Sequence, residues 1–184
     1  VIKTVLGEEI SMEDLGGARV HSEISGNAHF FAKNEDECFA SIRKLMSFLP
    51  WNNTEKARLT EPAEPKQEYD IQNIVSDDPT MPYDVRDIIR AVVDNSDFLE
   101  IQEMYARNIV IGFARLGGRT AGFVANQPNE LAGVLDVDSS DKAARFIRFC
   151  DAFNIPIITL VDVPGYLPGV DQEHAGVIRH GAKI

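Results

Sequence analysis

Ile109-Val-Ile-Gly-Phe-Ala-Arg-Leu116, then Gly117-Gly118, then Arg119-Thr-Ala-Gly-Phe-Val-Ala125: two runs rich in β-branched and aromatic residues flank a glycine pair. A two-residue hairpin turn holds both central residues at positive φ, which glycine adopts without steric cost, so the stretch reads as an antiparallel β-hairpin. Downstream, Ser139 or Ser140 caps a helix running to about Phe153. Its residues Ala143, Ala144, Phe146, Ile147, Phe149 and Cys150 are apolar, and Lys142, Arg145 and Arg148 form its polar side. Ile155-Pro-Ile-Ile-Thr-Leu-Val-Asp-Val163 follows as a continuous apolar strand, of the kind covered on both faces of a sheet. The loop Pro164-Gly-Tyr-Leu-Pro-Gly169 and a final helix complete the order hairpin, helix, strand, loop, helix, which specifies an α/β layer.

Working outward toward the N-terminus, residues 131 to 138 read as loop and short strand, and Phe98 to Gln102 as a short strand. Val85 to Asp94 reads as a helix with Val85, Ile88, Ile89, Val92 and Val93 on one face. Residues 52 to 84, with Pro62, Pro65, Pro79 and Pro82 among polar residues, have little periodicity and are long for a loop within a compact domain. A domain boundary is expected there. Further upstream, Asn34 caps a helix over Glu35 to Leu49 with Cys38, Ile42, Leu45, Met46 and Leu49 at spacings of three and four, closed by Pro50. Residues 18 to 32 read as loop, Ser11-Met-Glu-Asp14 as a capping box starting a short helix that Gly16-Gly17 ends, and Val1 to Leu6 as a strand. The chain opens without Met and closes at Ile184 inside a helical pattern with no Gly or Asn stop, so both ends read as cuts.

The formal charge of -11, from 18 basic and 29 acidic residues, argues against a non-specific nucleic-acid binder, whose footprint is basic. A hydrophobic fraction of 44% suffices to bury a core. No apolar run reaches the roughly 18 residues of a membrane span, and no signal-peptide pattern opens the chain. Cys38 and Cys150 read as two buried free thiols in a reducing compartment.

Among candidate sites, Asp162-Val-Pro-Gly-Tyr-Leu-Pro-Gly169 stands first. Ligands of α/β sheets bind beyond the carboxyl ends of strands, and this loop leaves such an end. Gly165 and Gly169 let backbone N–H groups approach a ligand, and Tyr166 can cover a flat apolar group; the bland alternative is an ordinary Pro/Gly turn. Asp136, Asp138 and Asp141 lack the Gly and final Glu of an EF-hand loop; Asp138 or Ser139 more simply caps a helix, and acids in its first turn suit the helix dipole. His21, His29, His174 and His180 form no zinc pattern, and His174 and His180 do not share a helix face. Ser25 and His29 lack the nucleophile elbow that would make them a catalytic pair, and neither a P-loop nor a dinucleotide fingerprint occurs.

At Asn126-Gln-Pro128, over Leu135 to Pro156 and at Leu160-Val-Asp-Val-Pro-Gly-Tyr-Leu-Pro-Gly169, the sequence resembles the carboxyltransferase (beta) subunits of biotin-dependent acyl-CoA carboxylases, the propionyl-CoA carboxylase-like family. Gly16-Gly17-Ala18, Ser25-Gly26, Ala28-His29-Phe30 and Phe48-Leu-Pro50 agree. The resemblance implies an α/β, crotonase-like β-β-α superhelix, here in parts of two such domains. Residues 1–55 would end the N-terminal carboxyltransferase domain, 56–84 would link the two, and 85–184 would begin the C-terminal one. It implies transfer of a carboxyl group from carboxybiotin, carried on a partner biotin carboxylase/biotin carrier subunit, to the α-carbon of a short acyl-CoA such as propionyl-CoA. Carboxybiotin releases CO2, the biotin enolate takes a proton from the acyl α-carbon, and the thioester enolate attacks CO2. Two oxyanion holes of backbone N–H groups would stabilise the enolates. The family's motifs for both holes, and the residue after the second that helps choose acyl chain length, match nothing between Val1 and Ile184. No catalytic residue is therefore carried over, and the expected piece is inactive alone. Gly165, Tyr166 and Leu167 are carried over as neighbours of biotin. Further implications are a homo-hexamer, a cytoplasmic location (the mitochondrial matrix in a eukaryote) and no metal in this chain. A biotin-dependent decarboxylase or transcarboxylase subunit shares these motifs, and a non-catalytic interaction module is the alternative of another class.

Overall fold

The computed structural model describes residues 2–66, 69–78 and 81–184. Its centre is the expected hairpin: β2 (Ile109–Leu116) and β3 (Arg119–Asn126) pair antiparallel along their whole length, with Leu116 opposite Arg119. Gly117 and Gly118 take φ of 56° and 78°, as the turn requires. The turn is also held from outside, because the buried Asp94 carboxylate accepts the N–H of Gly117 at 2.9 Å and of Gly118 at 2.6 Å. β1 (Phe98–Ile101) adds antiparallel to β2 and β4 (Ile157–Leu160) parallel to β3, giving the order β1-β2-β3-β4.

Strand alternation sends side chains to two buried faces. Ile109, Ile111 and Phe113 join Phe48, Phe146 and Cys150 on one face, and Val110, Ala114 and Phe123 join Val85, Ile89 and Val93 on the other. The first face is covered by α4 (Glu35–Phe48) and α7 (Val137–Ala152), the second by α6 (Val85–Val92). Phe48 stacks on Phe113 at 6.3 Å between centroids, with the Arg115 guanidinium 4.3 Å above the Phe48 ring. Gly122 brings α7 close to β3, since a Cβ there would meet Cys150 Sγ at 2.7 Å.

Several expectations change. The strand expected over residues 155–163 is only the four residues of β4, at the sheet edge, with Val161 72% exposed. Its ladder stops because β3, its neighbour, ends one residue beyond the Ala125–Leu160 pair. α7 starts earlier than expected. Asp136 caps it, accepting the Ser139 N–H at 2.8 Å, while Ser139 Oγ accepts the Asp136 N–H at 2.8 Å, so Ser139 is the third helical residue rather than the cap. Residues 131–138 hold a 3-10 turn (Leu131–Gly133) and one bridge, Leu135 to Tyr166, in place of a strand.

Lys142, assigned to the polar side, is 2% exposed. Its Nζ donates to the carbonyls of Tyr105 (2.7 Å), Ala106 (3.2 Å) and Ile109 (2.8 Å), so all three ammonium donors are used. Cys150 is buried, and burial pushes its thiol up to about 12, whereas Cys38 is exposed. On α4 the buried residue is Phe48; Leu45 and Leu49 are half-buried and Ile42 and Met46 exposed, so the core stripe lies to one side of the expected one.

Near the N-terminus, α2 (Met12–Gly16) carries the expected Ser11 cap, whose Oγ accepts the Asp14 N–H at 3.0 Å. Residues 18–32, read as loop, begin with the helix α3 (Ala18–Glu23), in which Ser22 Oγ donates to Ala18 O. The expected N-terminal strand is the helix α1 (Ile2–Leu6); among the described residues no sheet strand lies beside it to complete a ladder, and a helix closes its hydrogen bonds within itself. Val1 lies outside the described residues. In the stretch read as linker, α5 (Ile71–Ile74) forms one turn, and Pro79 lies outside the described residues. The linker touches the hairpin turn: Thr60 N–H donates to Gly118 O at 3.0 Å and Asn95 N–H to Glu64 O at 3.2 Å. The final helix is two short ones, α8 (Val170–Ala175) and α9 (Val177–Gly181), broken at Gly176 with φ 82°. No helix among the described residues is long and apolar enough to cross a membrane.

Candidate functional site

β3 and β4 run parallel, so their carboxyl ends lie side by side, and the loop of residues 161–169 leaves from there. Its base is fixed by side chains from elsewhere. Asn126 Oδ1, at the end of β3, accepts the Asp162 N–H at 3.3 Å, and Asn126 Nδ2 donates to Gly133 O at 3.0 Å. Asn108 Nδ2 donates to Val134 O at 2.7 Å, and Tyr83 Oη donates to Asp162 Oδ2 at 2.7 Å. Burial, and then that bond to a carboxylate, push the Tyr83 hydroxyl up to about 12, so it stays a donor. Next to Asn126, the fully buried Gln127 donates to the Asp84 cap of α6 at 2.7 Å and accepts the Val85 N–H at 3.3 Å. Arg86 then ties Asp84 to Glu100, with 2.7 and 3.0 Å contacts to the two Glu100 oxygens. The bonds on Asn126 and Gln127 to residues far along the chain carry no local sequence signal, and only the family resemblance of Asn126-Gln-Pro128 marks these two.

Gly165, Tyr166 and Leu167 form the crest. Gly165 O accepts the Leu135 N–H at 3.0 Å and Leu135 O accepts the Leu167 N–H at 2.7 Å, a single parallel bridge that gives the loop a defined path. Gly165 has φ 150°, a region essentially closed to side-chain-bearing residues, and the space where a Cβ would sit is open. Among the described residues no protein acceptor takes the N–H of Gly165 or Tyr166. Tyr166 is 40% exposed, with the rest of its ring against Gly181 of α9. The crest therefore offers two free backbone donors beside an aromatic face, suited to a flat ligand with a carbonyl or anionic oxygen.

The other candidates go elsewhere. Asp136 caps α7, Asp138 hydrogen-bonds Tyr105, and Asp141 accepts from His180 Nδ1 at 2.8 Å and Lys183 Nζ at 2.7 Å. Among the described residues no group of three His, Cys, Asp or Glu is placed to hold a metal. Ser25 Oγ pairs with His21 Nδ1 at 2.8 Å, not with His29. His29 instead lines an apolar cleft of about 660 Å3 with Phe30, Leu49, Arg145 and Phe149, on the α4–α7 side of the sheet. Burial and then Arg145 lower its pKa, so it is a neutral wall residue.

Comparison with known proteins extends this picture. The family model described as "Carboxyl transferase domain" matches residues 1–184. The chain is 53% identical to the methylmalonyl-CoA decarboxylase subunit alpha of Veillonella parvula and 50% identical to the propionyl-CoA carboxylase beta chain of Saccharopolyspora erythraea, in each case over 100% of this chain and 36% of the relative. Among solved structures, transcarboxylase 12S, a hexamer with methylmalonyl-coenzyme A and methylmalonic acid bound, superimposes with a TM-score of 0.95 at 51% identity, covering 99% of this chain and 36% of that one. The fold is thus the crotonase-like α/β fold of these proteins, and the chain spans about a third of their length.

Proposed function

The chain belongs to the carboxyl transferase domain family, and from that premise we propose that it is part of the carboxyltransferase subunit of a biotin-dependent acyl-CoA carboxylase. The match to transcarboxylase 12S over 99% of the chain carries the reading. Residues 1–55 end the N-terminal domain, 56–84 connect, and 85–184 begin the C-terminal domain. The working assembly is a cytoplasmic homo-hexamer that meets a biotin carrier and an acyl-CoA such as propionyl-CoA. Carboxybiotin, when delivered, supplies the carboxyl group. The crest of the loop fits a bicyclic urea: the N–H groups of Gly165 and Tyr166 reach for an oxygen, the Tyr166 ring covers a ring, and Leu167 adds apolar surface. Tyr83 and Asn126 keep the loop base fixed while the donor docks.

The test is carboxyl transfer by the full-length subunit with its carrier. ATP-dependent carboxylation of propionyl-CoA supports the carboxylase reading. The identity to a methylmalonyl-CoA decarboxylase subunit favours a second reading, in which methylmalonyl-CoA loses CO2 to biotin without ATP. The absence of carboxyl exchange in either direction overturns both and leaves a non-catalytic interaction module. The 184-residue chain alone should show no transfer, because neither oxyanion motif lies within it; measurable malonyl- or methylmalonyl-CoA formation by it would refute that.

A further inference from the structure

We infer that Gly181, with the Asp141–His180–Lys183 cluster behind it, positions the Tyr166 ring for the biotin-side loop; the inference rests on the function proposed above. Gly181 is the last residue of α9, is buried, and keeps φ outside the left-handed region. Any residue could adopt that backbone, and alanine in place of glycine would favour a helix by about 1 kcal/mol. What excludes a side chain there is Tyr166. A Cβ on Gly181 would run into the ring at Oη and Cζ, and would lie 2.6 Å from Cε1. The ring is rigid, so this contact cannot be relieved by moving one atom; the whole side chain must leave.

The support under the ring is itself anchored. Asp141, on α7, takes His180 Nδ1 on one oxygen and Lys183 Nζ on the other, at 2.8 and 2.7 Å, so the residues flanking Gly181 are tied to the long core helix. Val177, at the start of α9, is 1% exposed and fixes the other end. The loop is held separately through the Leu135 bridge. Tyr166 is thus braced through its backbone from one side and through its ring from another, while 40% of it still faces solvent. A pre-set aromatic face of this kind lowers the ordering cost of docking a flat ligand.

The experiment is a double-mutant cycle in the full-length subunit that carries this segment, with separate KM values for the biotinylated carrier and for acyl-CoA. Gly181→Ala is expected to raise the carrier KM about tenfold, a mid-range coupling for touching residues, and to leave the acyl-CoA KM unchanged. In a Tyr166→Ala background the same substitution should add nothing, because the ring it displaces is gone. Asp141→Asn should act in the same direction, about twofold to threefold, and likewise only when Tyr166 is present. Should Gly181→Ala fail to fold alone, Asp141→Asn and the two double variants carry the test. A readout independent of turnover is the ring-current shift of the Gly181 α-protons, observed by NMR with labelled Tyr and Gly. It should be present in the native subunit and diminish in Asp141→Asn. Additive effects, equal rises in both KM values, or a native subunit without the ring-current shift would overturn the inference. A subunit that shows the shift but transfers no carboxyl group would overturn the proposed function and leave the ring contact standing.

Discussion

Residues 109–152 and residues 157–184 both place helices on a β-sheet, with opposite results. β2 and β3 each have a strand on both sides and apolar cover on both faces, and α7 packs so closely that a Cβ on Gly122 would meet Cys150 Sγ at 2.7 Å. Among the described residues of this chain β4 has one neighbour, and Val161, Val170 and Ile178 beyond it are 72%, 67% and 64% exposed. The first region spends its sequence on packing. The second keeps backbone donors and an aromatic ring at the surface, on supports borrowed from the first: Asn126, Leu135 and Asp141 all belong to or adjoin β3 and α7.

The widest separation between the regions should appear in stability. Phe113 is 2% exposed and touches the rings of Phe48, Phe146 and Phe149. Phe113→Ala should cost about 3–5 kcal/mol, as truncation of a packed aromatic does. Tyr166→Ala, on a half-exposed ring, should stay within about 1 kcal/mol. Urea unfolding of the two variants checks this, and comparable losses would break the distinction between a packed region and a presenting one.

Next in size is Lys142→Met, which keeps the apolar stem and removes the ammonium. Tyr105 O and Ile109 O then lose the ammonium donor, while Ala106 O keeps the Ile109 N–H, at a cost of about 1–3 kcal/mol. The pH dependence sharpens the point. Burial lowers the Lys142 pKa from 10.5 to about 7, opposed by Glu100, reinforced by Arg86 and opposed again by Glu103. The three carbonyl acceptors favour the ammonium, but wherever the folded pKa lies below the unfolded 10.5 the folded chain gives up the proton first, so this group makes stability rise with pH through that window. The difference in denaturation midpoint between the native protein and Lys142→Met should therefore grow in favour of the native protein from pH 7 to 10, the other titrating groups being common to both.

The hairpin was legible because its determinants are adjacent: a glycine pair between two apolar runs needs no distant partner to be understood. The Ser11 and Asn34 caps were legible for the same reason, each cap and its N–H lying three residues apart. Lys142 was not, because its acceptors lie 33 to 37 residues upstream and a lysine on an amphipathic helix ordinarily faces water. The length of β4 is not legible in its apolar run, which shows only that a strand is possible, whereas its end is set by where β3 stops. The candidate loop stood out through its Gly/Pro pattern, but the glycine that braces its tyrosine lies 15 residues on and looks like any helical residue.

The smallest expected effect bears on the supports shared between the regions. The Asp141 side chain is 43% exposed, so its pairs with His180 and Lys183 are screened and worth about 1 kcal/mol or less to stability. Burial alone would raise its carboxyl pKa, but the hydrogen bonds from Lys183 and His180 outweigh burial and hold it below the ordinary 3.8. A carboxyl with a depressed folded-state pKa stabilises above its unfolded value and loses that contribution as pH falls through the folded one. The native protein and Asp141→Asn should therefore differ slightly at pH 6 and converge below pH 3.8, as read from thermal midpoints. A large difference at pH 6 would mean that α9 is part of the packed core. The small one expected here, beside a clear rise in carrier KM, would show that the cluster sets the position of Tyr166 and adds little to the stability of the fold.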